Sequence, residues 1–513
     1  MIERPEITAE EFAALIGGRW ERRPHSNWRY RGLCYSPVRY TSEEIALIKD
    51  STARYGFEPH ELKSTMSEAG VILPATLSLS PRIAVPTLRI ASIHESMLRL
   101  ATALRARAET RIIAVTGTVG KTSSCNLLRH LLEGDHTVSS NNGLNYGEGV
   151  ILEIANLGAS DYAIFEVSRA AISENVPKVL KPHVALLTHV SPVHVSSRVD
   201  LLATARHKSC LFAGLEPGGT AVINRDIYHF EEVRNIAAAS ASEILTFGEH
   251  ETCDFRLLDY DPSGQDVRAK ILGETVAFRL GLRGRHMAID SLGALAAAHA
   301  AGVQWQTLLP RCSTVLPVSG RGKTETLTIC GSRVTVIDDS HNASPASMLA
   351  SFRLLSETSP TGVGRRIAVL GDMLEMGDDA PALHRALAEP LMACAPNLVY
   401  LAGESMLHLH RALPECLSLY CGKEADEILR PLVSRLREGD VVLLKGSHGT
   451  RIHRLAEELR LLGLAPHPLP GIKQVTLPTY FFLRSAMRWL APRLPMRLSR
   501  WVSWQLRKLA RAD

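Results

Sequence analysis

The sequence predicts an α/β protein of about three domains, built on mostly parallel sheets. Three observations lead there. From Arg111 onward, short β-branched apolar runs alternate with helical stretches, the pattern of strands joined by crossover helices. A Gly-containing turn sits between the first of these strands and the helix after it. A second alternating block starts near Val318. With 45% hydrophobic and 22% charged residues, the 513-residue chain has the make-up of a globular protein with a sizeable core.

Residues 1–107 carry few periodic signals and read as short helical stretches and Pro- and Arg-containing turns, closed by an amphipathic helix over 92–108. The run RIIAV (111–115) reads as a buried strand and 122–132 as the following helix. Further strands are expected at 162–167, 184–188 and 220–223, and a long packed helix at 287–301. In the second block, 333–337, 366–370, 398–401 and 440–444 read as the strands of a doubly wound domain. The expected divisions are 1–107, 108–317, 318–465 and a basic tail, 466–513.

VTGTVGKTS (115–123) is the most specific local signal. Between a strand and a helix, its backbone N–H groups and the helix N-terminus suit phosphate oxygens. Thr116, Gly117, Thr118, Val119, Gly120, Lys121, Thr122 and Ser123 are therefore the expected nucleotide contacts, Lys121 reaching the β- and γ-phosphates and Thr122 offering its hydroxyl to Mg²⁺. Val115 stands where such loops usually begin with Gly.

TGTVGKTS resembles the nucleotide loop of the Mur ligases, and further segments resemble that family in its order. FEVS (165–168) is similar to the strand end whose glutamate ligates magnesium, here Glu166; THVSPVH (188–194) resembles the segment with a metal-ligating histidine, here His194. ARHKSCLF (205–212) resembles the segment whose lysine is carbamylated in many members, here Lys208, and AVINRDI (221–227) a family strand end. SGRGK (319–323) resembles the segment that brings an arginine, here Arg321, to the ATP phosphates. IDDSHNASPASM (337–348), VLGDMLEMG (369–377) and LLKGSHG (443–449) are similar to motifs of the subfamily that adds D-alanyl-D-alanine, and place Asp339, His341 and Asn342 at the nucleotide. The resemblance spans about residues 108–460 and implies a three-domain Mur ligase architecture: a central P-loop parallel-sheet domain and a C-terminal doubly wound domain. The chain departs from the family at 31–40, where no uridine-nucleotide motif is legible, at Val193, and at Met287 and Asp290, which replace two asparagines on the adenine side.

The chemistry implied is ATP-dependent amide formation. Phosphoryl transfer to a carboxylate gives an acyl phosphate; an amine attacks it and phosphate leaves. Such a site positions anions and neutralises charge, and the resemblance assigns those tasks to Lys121, Glu166, His194, Lys208 and Arg321. Thr122 and Glu166 suit one Mg²⁺ and His194 with a carbamylated Lys208 a second, since an unmodified ammonium would repel the ion. Alone, a strand-end glutamate or a single histidine is an ordinary solvated or packed residue; the ordered context singles these out. The partners implied are a small-molecule carboxylate, cell-wall-precursor-like or of specialised metabolism, and an amine. Two alternatives stand beside this reading: the standard D-alanyl-D-alanine-adding enzyme with a diverged first domain, and a nucleotide-binding scaffold without turnover.

Nine scattered cysteines with no CxxC pair argue against a disulfide framework or structural zinc and point to a reducing cytoplasm. The acidic start, MIERPEITAEEF, lacks the apolar core of a secretory signal, and no apolar run is long enough to span a bilayer. Residues 480–513 hold seven Arg, one Lys and one Asp, a net +7 in a chain of net +5, so the rest sums to −2. This Trp- and Arg-rich tail reads equally as a helix at an anionic membrane surface, giving a peripheral localisation, and as a helix docked on the protein body. Nucleic acid is not an expected partner, because no binding fold accompanies the charge.

Overall fold

The computed structural model describes residues 6–36, 41–62, 69–80, 83–141, 143–190, 198–414 and 417–463. The chain divides into two compact units, Met1–Val318 and Ser319–Asp513. His194, Val193 and the basic tail lie outside the described residues.

The first unit holds two sheets. The smaller contains β1 (Arg19–Arg22), β2 (Leu33–Cys34), β3 (Ile45–Leu47), β4 (Val71–Pro74) and β5 (Thr87–Ile90), in the order β1-β5-β4-β3-β2, with only β1 antiparallel to its neighbour. Helix α1 (Ala9–Ile16) starts where Thr8 accepts from the Glu11 amide and stops at Gly17, whose φ of 69° is left-handed. Its buried Phe12 stacks on Tyr30, with ring centroids 4.9 Å apart. This sheet corrects the reading of 1–107 as short helices and turns: strands of two to four residues are too short to print an alternation in the sequence.

The larger sheet has nine strands: β6 (Arg111–Thr116), β7 (Val138–Ser140), β8 (Tyr162–Glu166), β9 (Val184–Leu187), β10 (Thr220–Asn224), β11 (Glu243–Gly248), β12 (Phe255–Asp261), β13 (Asp266–Ile271) and β14 (Glu274–Arg279). Their order is β14-β13-β12-β11-β10-β9-β6-β8-β7, with the last two in the chain forming antiparallel pairings and the rest parallel. Alternation along each parallel strand sends side chains to two different cores. Ile112, Ala114, Ala163, Phe165, Ala185 and Leu187 join the core shared with the first sheet, whereas Ile113, Val115, Ile164, Val184 and Leu186 pack with the helices Lys121–Leu132 and Arg285–Ala300 on the other face. The outer hairpin is one-sided, and β13 alternates exposed and buried residues along its length.

The two sheets are stitched by specific polar contacts. Tyr30 donates to the Ala155 carbonyl at 2.8 Å, and Asn156 pairs with both the N–H and the C=O of Leu33. Buried Arg105, at the end of α2 (Ile93–Arg105), donates to the carbonyls of Leu180 and Lys181 and to Glu216. Around residue 107 the chain therefore passes within one continuous core, which runs from Ile7 to Ala237.

The second unit is a six-stranded sheet of β15 (Lys323–Ile329), β16 (Ser332–Asp339), β17 (Arg366–Gly371), β18 (Leu398–Ala402), β19 (Ser418–Gly422) and β20 (Val441–Lys445), ordered β15-β16-β20-β17-β18-β19. Only the β15–β16 hairpin is antiparallel. The helix Ile452–Gly463 lays Ile452, Leu455, Ala456, Leu459 and Leu462 against it, a spacing of three and four residues that makes one apolar stripe. No helix among the described residues is long and apolar enough to cross a membrane.

Candidate active site

Strand order reverses at β6, which lies between β8 and β9, and in such sheets the ligand crevice opens at the carboxyl ends of the strands. The loop 117–120 leaves β6 there and enters α3 (Lys121–Leu132). Two glycines make the turn. Gly120 has φ 85°, and a Cβ on it would lie 2.9 Å from Oδ1 of Asp290; Gly117 has φ 155°, and a Cβ would lie 2.1 Å from Oγ1 of Thr188. Thr188 donates to the Val119 carbonyl at 2.6 Å, and Thr118 N–H donates to the His189 carbonyl at 2.8 Å, so the strand end after β9 holds the loop. Thr116 is buried and donates to the Val167 carbonyl. Lys121 folds over the turn, its Nζ donating to the carbonyls of Gly117 and Thr118 at 2.9 and 3.2 Å.

At the end of β8, Glu166 is buried. Thr122 Oγ1 donates to its Oε2 and Asn145 Nδ2 to its Oε1, both at 2.8 Å. Asn141 bonds the backbone N–H and C=O of the same residue. A hydroxyl and a carboxylate oxygen are thus brought together beside the phosphate loop, the hard oxygen pair that a Mg²⁺ ion with few protein ligands requires.

Lys208, on the helix Arg198–Ser209, is buried, and its amine is pushed down to about 7 by that burial and then by the positive charges of Lys121 and Arg169, against the pull of Glu166. No carboxylate lies within ion-pair distance of it among the described residues. Asp290, where the resemblance places an asparagine, has its carboxyl pushed up to about 8 by burial beside Gly120. Met287 is a buried core residue.

In the second unit, Arg321 Nη2 donates to Nδ1 of His341 at 3.1 Å. Asp339 at the end of β16 pairs at 2.9 Å with buried Lys445 at the end of β20, directly opposite in register, and also accepts from Ser351. Asn342 is exposed and accepts from the Ala343 amide. Of the expected residues, 116–123, Glu166 and Lys208 gather in the first unit, and Arg321, Asp339 and His341 in the second. Residues missed from the sequence include Asn141 and Asn145, whereas Thr188 and Lys445 stood in the segments 188–194 and 443–449 without an assigned role. The pair of asparagines in NNGLNYG, directly after a strand, is the one signal that could have pointed to the Glu166 clamp.

Two family descriptions match: Mur ligase middle domain over residues 115–298, and Mur ligase, glutamate ligase domain, over 325–448. The chain belongs to the Mur ligase family. This Mur ligase is 27% identical to the UDP-N-acetylmuramoyl-tripeptide--D-alanyl-D-alanine ligase of Rickettsia prowazekii, over 71% of this chain and 81% of that one. It is 25% identical to the ligase of the same name from Mycobacterium tuberculosis, covering 88% and 98%. Its fold matches MurF from Acinetobacter baumannii with a TM-score of 0.74 at 19% identity, covering 89% of this chain and 99% of that one. It also matches MurF from Thermotoga maritima in complex with ADP, with a TM-score of 0.67 at 22% identity, covering 84% and 97%.

The tightest steric constraint on the loop is at Gly117. Gly117→Ala is expected to weaken ATP binding about tenfold or more, the equivalent of backbone strain of 1–3 kcal/mol plus the Thr188 clash, while thermal unfolding stays cooperative. An unchanged ATP affinity by calorimetry would refute this geometry.

Proposed function

We propose that this Mur ligase uses ATP to join the terminal carboxylate of a cell-wall-precursor-like peptide to the amine of a small peptide such as D-alanyl-D-alanine. The observation that carries the reading is the phosphate loop whose Thr122 is bonded to Glu166 at the adjoining strand end. The names of its relatives supply the substrate class. A carboxylate oxygen attacks the γ-phosphorus, the bond to the β-phosphate oxygen breaks, and ADP leaves. The amine nitrogen then bonds to the acyl carbon, loses a proton, and phosphate departs. Lys121, after leaving its two loop carbonyls, and Arg321 neutralise phosphate charge. Thr122 and Glu166 would hold Mg²⁺, which supplies charge neutralisation between the phosphates when bound.

Lys208 is assigned as a carbamate. A neutral amine nitrogen bonds to the carbon of CO₂ and loses a proton to solvent, turning a positive side chain into a negative oxygen ligand. Burial and two neighbouring cations favour the neutral amine that this step needs. His194 would share the ion held by that carbamate. The scaffold alternative is not favoured, since Lys121, Thr122 and Glu166 remain together at the loop. The basic segment 480–513 is assigned to an anionic membrane surface, on its net +7 charge and its Trp501 and Trp504.

Phosphate release from ATP should require both substrates, yield a new amide by mass spectrometry, and vanish in Lys121→Ala; ATP binding without release for any substrate pair would overturn the ligase reading. An amine with a value near 7 is protonated below it, so carbamate and activity should fall as pH drops through about 7, and bicarbonate should restore activity at neutral pH. Indifference of a CO₂-depleted enzyme to bicarbonate would remove the carbamate. Deleting residues 471–513 should abolish binding to vesicles rich in anionic lipid, and undiminished binding would reject the membrane role of the tail.

A further inference from the structure

The helix Arg285–Ala300 presses one carboxyl, that of Asp290, against the phosphate loop. A Cβ on Gly120 would lie 2.9 Å from its Oδ1 and 3.1 Å from its Oδ2, so the carboxyl fills the space that the missing side chain leaves. Asp290 is half-buried and makes no hydrogen bond and no ion pair among the described residues. An ionised carboxyl without donors is costly in such a place, and burial pushes this one up to about 8.

The ionisable groups on the surrounding elements do not account for that rise. α3, β9, β10, β11, β12 and the helix Trp305–Leu308 pack against the helix of Asp290. α3 brings Lys121, turned to the loop carbonyls, and Cys125, Arg129 and His130. β11 brings Glu243, and β12 brings Arg256, Asp259, Tyr260 and Asp261. β9, β10 and the helix Trp305–Leu308 carry none. The helix itself holds His286, His299 and Arg285, the last paired with Glu249. Burial is the whole cause.

Gly120 is the N-cap of α3, with a φ of 85° and no side chain to cap the helix. The amides at a helix N-terminus attract phosphate and carboxylate alike. An ionised Asp290 would therefore repel an arriving phosphate and compete for the same amides. To reach them, or water, it would leave its place against Gly120.

We propose that Asp290 is a positioning residue for the nucleotide, acting through Gly120: as an uncharged acid it braces the phosphate loop, and as a carboxylate it competes with phosphate at the start of α3. Nucleotide binding then draws a proton onto Asp290, and affinity is lost as pH rises through about 8. The inference rests on nucleotide binding at this loop and on the identity of neither substrate.

The experiment measures ATP binding to the full chain by calorimetry, with Mg²⁺, from about pH 7 to about pH 9.5. The parent should hold its affinity below about pH 8 and lose it above, by up to about tenfold per pH unit, the signature of one proton. Near the midpoint, binding should take up part of a proton, read from the heats in buffers of different ionisation enthalpy. Asp290→Ala, which removes the brace, should weaken binding severalfold at every pH. Asp290→Asn, an uncharged amide of the same shape, should rescue binding and abolish the loss above the midpoint. Groups that titrate in both proteins, Lys208 among them, cancel in the comparison. Parallel pH profiles for the parent and Asp290→Asn would overturn the proposal. So would the absence of proton uptake by the parent at about pH 8, a reading that needs no variant. ATP binding without these effects rejects the role of Asp290 alone; no ATP binding at any pH rejects the nucleotide site and the inference with it.

Discussion

The carboxylate of Glu166 is the contact on which the phosphate site depends. Buried at the end of β8, it receives Thr122 from the first turn of α3 and Asn145 from the loop after β7, while Asn141 fastens its backbone. Two other chain segments, the start of α3 and the loop after β7, are thereby fixed to this one residue. A buried carboxylate is tolerated only when its oxygens are occupied, so the arrangement is self-enforcing: each donor removed leaves an acceptor without a partner in a place water reaches poorly. The glycine turn beside it is held from the other side by Thr188 and His189, which leaves the loop little freedom to relax.

The second unit achieves the same with paired charges. Adjacent residues Asp338 and Asp339 point to opposite faces of β16, as successive strand residues must, and each finds its own cation: Arg460 from the helix below and Lys445 from the neighbouring strand. Lys445 is 2% exposed, and the loss of Asp339 would strand a cation in the core. These pairs fix where β16 ends, and so where His341 and Arg321 stand.

Strands read from β-branched runs appear where expected, because parallel strands covered on both faces must be continuously apolar, and β6, β8, β9, β10, β17, β18 and β20 are so covered. The hairpin strands β12 to β14 and the short strands of the first sheet escaped, since their polar faces or few residues leave no such run. At the site, the loop 116–123 was legible because glycine, lysine and threonine at fixed spacing have few other reasons to occur together. The Asn141 and Asn145 clamp was not, because it meets Glu166 only through tertiary packing. Asp290 shows the converse. It was visible as a departure from a motif, but that its carboxyl abuts Gly120 follows only from the packing of the helix Arg285–Ala300 on α3.

The one-sided hairpin β13–β14 also settles how the large sheet meets its neighbours in a crowded solution. A parallel sheet that ended on an apolar strand would offer a row of open amides and carbonyls to any other chain. Here one border is β7, only three residues long, and the other is β14, whose outward positions carry Glu274 and Arg279. A short border and a charged one both discourage edge-to-edge pairing, so a nine-stranded sheet can remain open without becoming a template for aggregation.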